Sequence, residues 1–128
     1  MEKKTSLSAG IIVGELLNNA IVKKKLATKV FPVVTDKATL PYIRYRRVDL
    51  MTNSTKESAT ADTSVIAVEC FTADYSEGVR LAEVVRGALD HKQARYGDLT
   101  MRSCTLVKAS EDFANDAYIQ TLIFNVKI

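Results

Sequence analysis

The chain has 128 residues, 47 % hydrophobic and 26 % charged, with 18 basic and 15 acidic side chains and a net charge of +3. That length supports one domain whose core needs neither disulfides nor metals. The charge is too mild to argue for nucleic acid, and no apolar run is long enough to cross a bilayer.

Lysines and an apolar run open the chain, but Glu15 interrupts the run and no small-x-small cleavage site follows. The segment therefore reads as a helix of a soluble cytoplasmic protein, not as a signal peptide. It is expected over Leu7–Ala20, with Thr5, Ser6 or Ser8 as caps. Leu7, Ile11, Ile12, Val13, Leu16, Leu17 and Ala20 cover more than the stripe a surface helix needs. Such a helix is either tucked deeply against a sheet, or buries one flank in its own core and another against a neighbouring subunit. Gly10 and Gly14 stand at a GxxxG spacing that permits close approach. Lys23, Lys24 and Lys25 suit a solvated helix end, where positive charge complements the dipole.

Val30, Phe31, Val33 and Val34 predict a short strand, with Pro32 marking it as an edge. Asp36 to Leu40 reads as a loop, and Tyr42–Met51 as a strand with no clean apolar face. Arg44 and Arg46 alternate away from Arg47 on that strand, so the three do not form one patch. The segment Thr52–Thr63 is rich in Ser and Thr, without Gly or Pro, and reads as the long tip of a hairpin. It is either a mobile surface loop or an arm that orders on a partner.

Ser64–Leu89 reads as a buried strand running into a capped helix. Val65, Ile66, Ala67, Val68, Cys70 and Phe71 are continuous enough to expect cover on both faces of the strand. Asp74 and Glu77 make a capping-box-like start. Gly78, Leu81, Ala82, Val85, Ala88 and Leu89 then share one helical face, opposite Glu77, Arg80, Glu83 and Arg86. Tyr96, Gly97 and Asp98 form a turn. Leu99–Ser110 and Asp116–Ile128 are expected strands, joined through Glu111–Asn115. In the last strand Leu122, Phe124, Val126 and Ile128 share a face. The result is one α+β domain, a mainly antiparallel sheet with two packed helices in the order α-β-β-β-α-β-β and a long hairpin loop near 52–64.

Motifs for chemistry are absent from the sequence. His91 is the single histidine, the five glycines are scattered, and Glu111 with Asp112 reads as solvated turn charge. Cys70 and Cys104 fall in strands and are expected to be reduced, a disulfide requiring those strands to be neighbours. No catalytic, cofactor or metal residue is assigned. Arg44 to Arg47 with Tyr42 and Tyr45 suits a protein interface, the alternative being single-stranded nucleic acid.

From about Leu7 to Ile128 the chain resembles the tail-completion proteins of long-tailed phages and prophages, also called tail terminators or head–tail joining proteins. The resemblance lies in the helix followed by Val30-Phe31-Pro32-Val33, then Pro41-Tyr42-Ile43 with Tyr45, and a polar hairpin carrying Thr55 and Lys56. It continues in Val68-Glu69-Cys70-Phe71, in the helix with Tyr75, Leu81, Ala82, Val85 and Leu89, and in the closing strand with Asp116, Tyr118 to Phe124 and Val126. The hairpin departs from the pattern in lacking glycines. The resemblance implies a virion structural protein, assembled in the host cytoplasm. It would oligomerise as a ring, commonly a hexamer, at the end of the tail tube, with the tube protein and head connector proteins as partners, and without catalysis, cofactor or membrane. From exposure and shape, Arg44, Arg46 and Arg47 are placed at contacts with neighbours or the tube. The loop residues Ser54, Thr55, Lys56, Glu57, Ser58, Ala59, Thr60 and Ala61 are placed there too.

Overall fold

The computed structural model describes residues 4–33, 39–52 and 62–128. A 3-10 turn at Ser6–Ser8, with the Thr5 hydroxyl accepting from the Leu7 N–H at 3.3 Å, leads into helix α1 at Ala9–Lys23. Strands β1 (Lys29–Pro32), β2 (Tyr42–Met51) and β3 (Thr63–Thr72) follow, then helix α2 (Tyr75–Leu89). A small hairpin of β4 (Ala94–Tyr96) and β5 (Leu99–Met101) precedes β6 (Ser103–Ala114) and β7 (Ala117–Lys127). The five long-range strands form one sheet in the order β1-β2-β3-β7-β6. All its pairings are antiparallel except β1 with β2. This is the expected α+β arrangement and element order, with one small hairpin added.

Both helices lie on the same face of the sheet, α1 over β1 and β2, α2 over β3 and β7. Ile43, Ile66, Val68, Cys70, Leu122, Phe124 and Val126 point into that layer. They meet Ile12, Val13 and Leu17 of α1 and Leu81, Val85 and Leu89 of α2. Hydrophobic burial of this kind, about 1.5–3 kcal/mol for each large side chain, is the main stabilising term. The β4–β5 hairpin adds Leu99 and Met101 to the same core, and Gly97, at φ 63°, occupies the first central position of its two-residue turn, as a type II′ turn requires.

Several local expectations need correcting. Helix α1 extends past Ala20 to Lys23 because it ends in a Schellman motif. The Leu26 N–H donates to Ile21 O at 3.1 Å, and the Lys25 N–H to Val22 O at 3.0 Å. Asp74 is the N-cap of α2, yet its carboxylate makes no capping bond and accepts instead from the Ser76 hydroxyl at 2.8 Å. The expected strand Leu99–Ser110 breaks at Arg102 and its halves pair with different partners. Glu111 to Ala114 are strand, not connection. The turn is Asn115-Asp116 alone, both at positive φ (52° and 61°), the type I′ geometry that fits the twist of a hairpin. Val34 and most of the Asp36–Leu40 loop lie outside the described residues.

The largest correction concerns β3. Ser64, Ile66, Val68 and Cys70 alternate into the core, but Val65, Ala67, Glu69 and Phe71 face the other way. No described element packs over that second face, where Ala67 is buried by its strand neighbours and Val65, Glu69 and Phe71 are half-buried, so among the described residues the expected double cover of β3 is not seen.

Candidate functional site

The uncovered sheet face is the first candidate. Across β3 and β7 the register places Val65 beside Asn125, Ala67 beside Ile123, Glu69 beside Thr121 and Phe71 beside Ile119. Val65, Phe71, Ile119 and Ile123 are half-buried by their neighbours alone. At its β1 end the face turns aromatic. Tyr42 stacks on Phe71 with centroids 4.5 Å apart and meets Phe31 edge-on at 6.1 Å. This face mixes Val65, Phe71, Ile119 and Ile123 with the polar Glu69, Thr121 and Asn125, and is a candidate interaction surface.

Arg44 lies in this band. Its guanidinium sits 5.6 Å from the Phe71 ring centre, and its Nε donates to Glu69 Oε1 at 2.8 Å while its second nitrogen also pairs with that oxygen. The charge is therefore neutralised inside the chain, and Arg44 acts as a planar shelf beside the aromatics. Arg47 leaves by the opposite face and donates to the Leu7 carbonyl at 2.9 Å. The expected separation of Arg44 from Arg47 holds. The loop residues from Ser54 to Ala61 lie outside the described residues.

Arg46 and Arg47 do meet at the sheet edge. Beyond Val33, β2 has no described neighbour on that side, and the two arginines line a cleft of about 430 Å³ with Leu7, Ile11, Val33 and Tyr45. Leu7 of the 3-10 turn, Ile11 of α1 and Val33 after β1 are 58 %, 44 % and 55 % exposed, so apolar side chains surface here. Val33 also takes a φ of 57°, uncommon for a β-branched residue, with its N–H donating to Tyr45 O at 2.8 Å.

A third surface is the β6–β7 tip, where the sequence predicts only solvated charge. Phe113 is 55 % exposed and packs at 4.8 Å on Tyr118, which in turn meets Tyr75 at 5.9 Å. The Tyr75 hydroxyl donates to Glu111 at 2.9 Å and Gln120 Nε2 donates to it at 2.7 Å. This hydrogen bond to Glu111 raises the Tyr75 phenol above its ordinary value. The first residue of α2 thus braces the hairpin. The Asn-Asp pair, a known turn signal, could have located this tip in the sequence.

Titratable chemistry is scattered. Among the described residues no group of three or more His, Cys, Asp or Glu could hold a metal. Burial pushes both thiols up to about 12, with the Glu69 charge adding to Cys70 and the Asp90 charge to Cys104. A thiol held there is not a nucleophile. The exposed His91 imidazole lies 3.6 Å from Asp90. Asp90 is in turn held low chiefly by the Leu106 N–H at 2.9 Å, and also by Arg86 and His91.

No protein-family model matches the sequence, and no curated protein matches it. Among solved structures, the fold is similar to a chain from the virion of a native gene transfer agent particle, with a TM-score of 0.63. The alignment covers 95 % of this chain and 87 % of that one at 16 % identity, a likeness of fold.

Proposed function

We propose that this chain is a structural protein of a tailed-phage or prophage particle that ends the tail tube and joins it to the head connector as a ring, with six copies expected. No catalysis, cofactor or membrane contact is assigned to it. The observation that carries this reading is the uncovered apolar face of β3 and β7. A strand rich enough in apolar residues for burial on both faces, covered on one side by the described residues, suits a partner on the other. The fold likeness to a virion chain and the order of motifs along the sequence support a partner within a particle. A ring further requires a head-to-tail contact that closes.

The test is to add the purified protein to tail tubes assembled without it and to view them by negative-stain electron microscopy. Tubes of fixed length capped at one end are expected. Ile123→Glu, on the uncovered face, should keep the melting temperature and lose capping. Tubes that stay bare with the wild-type protein would overturn the reading. The nucleic-acid alternative has less support, because Glu69 already neutralises Arg44. Single-stranded DNA binding that weakens steeply with salt would favour it instead.

A further inference from the structure

The cleft at the β2 edge and the tip of β6–β7 are complementary, and the fold keeps them apart. The sheet order puts β1 and β2 at one edge and β6 at the other. The register adds a second separation. The tip lies at the end of the sheet shared by Tyr42, Thr72 and Tyr118, while Arg46 and Arg47 lie further along β2 toward Met51. A chain therefore cannot fill its own cleft with its own tip.

The chemistry of the two surfaces matches. One is a cleft with exposed Leu7, Ile11 and Val33 beneath Arg46 and Arg47. The other is an exposed phenylalanine within Glu111-Asp112-Phe113-Ala114-Asn115-Asp116, which carries three carboxylates and no cation. Tyr75 and Tyr118 hold that tip in place before any partner arrives, so little ordering opposes its docking. Arg46 makes no ion pair among the described residues and is exposed.

We propose that the occupant of the cleft is the β6–β7 tip of a second copy of this chain, with Phe113 seated against Leu7, Ile11 and Val33 and Asp112 facing Arg46. The contact is head-to-tail, so each copy uses one cleft and one tip, and repetition forms a ring when the rotation closes. This inference rests on the ring reading above and adds to it the residues that make the contact.

Native mass spectrometry across a concentration series tests it with four proteins: wild type, Arg46→Glu, Asp112→Lys, and the double variant. Wild type should form a discrete oligomer. Each single reversal should raise the concentration needed for assembly about tenfold or more. The double variant should recover assembly. Mixing the two single variants should also restore it, but only as complexes with equal numbers of each chain, because every contact then joins unlike chains. Circular dichroism melts exclude misfolding as the cause of a loss. Single variants that assemble like wild type would overturn the contact while leaving the ring reading intact. A wild type that stays monomeric throughout would overturn self-docking by this contact, and tube capping would then judge the virion reading separately.

Discussion

The Tyr45 side chain occupies the space that a β-carbon on residue 14 would need: its Cζ lies 2.7 Å from that position and its hydroxyl is closer still. Gly14 is thus the point at which α1 presses onto β2, and the Gly10–Gly14 spacing has one working member, since a β-carbon at Gly10 would meet nothing within 4 Å. Tyr45 is partly withdrawn from solvent there, which raises its phenol above the ordinary value. Gly14→Ala should therefore destabilise the protein by about 1–3 kcal/mol through overpacking. Gly10→Ala should be neutral or slightly stabilising, because alanine favours the helix. Tyr45→Phe in the Gly14→Ala background should recover part of the loss. Urea unfolding of the four proteins measures this.

Lys25 gives a prediction of opposite sign. It holds the left-handed position of the Schellman motif after α1 with φ 56°, where a side chain is strained and glycine is not. Lys25→Gly should stabilise the fold by about 0.5–1 kcal/mol, the relieved strain exceeding the added chain entropy. Lys25→Val should destabilise it, and thermal melts should rank the three proteins in that order.

Asp90 ties the end of α2 to β6. Its carboxylate accepts from the Leu106 N–H at 2.9 Å and from Arg86 Nε at 3.2 Å. These contacts lower its folded pKa, so the unfolded chain takes up the proton first as pH falls. The stabilisation is fully present above the unfolded carboxylate pKa of about 4 and is lost as pH drops toward the folded value. Asp90→Asn should melt below wild type at neutral pH, and the gap should narrow below about pH 4.

The two thiols should be silent in the native state. The β7 strand separates their strands, Cys70 aligning with Gln120 and Cys104 with Val126. Six residues along β7 place them roughly 20 Å apart, far beyond the Cα separation of about 4–7 Å that a disulfide spans. Both are fully buried. Thiol reagents should label neither until denaturant unfolds the chain, after which both should react together, and oxidants should produce no intramolecular bridge. Labelling of one cysteine in the native protein would contradict this burial.

Much of the fold was legible from local pattern. Tyr42–Met51 is the strand expected after Pro41, Tyr75–Leu89 falls where helical spacing puts it, and Leu122, Phe124 and Val126 take the core face. The misses have specific causes. Leu99–Ser110 reads as one strand because nothing in its composition marks Arg102 as the point where pairing changes partner. The acidic run Glu111–Asp112 looks like a turn, whereas the positive φ values at Asn115 and Asp116 move the turn beyond it. The candidate surfaces were least legible. Arg46 and Arg47 alternate apart along the strand, and they line one cleft where the β1 pairing ends at Pro32 among the described residues.

By itself the sequence determined the two helices, the main strands and their order, because apolar period and turn chemistry act over a few neighbouring residues. The apolar residues of Val65 to Phe71 also predict cover on both faces of β3. Only the tertiary structure decided which of those faces the chain covers. It decided too that the cysteines stand apart, and that a basic apolar cleft and an acidic aromatic tip lie at opposite edges. Strand order and register arise from contacts between residues distant in sequence, and no local pattern specifies them.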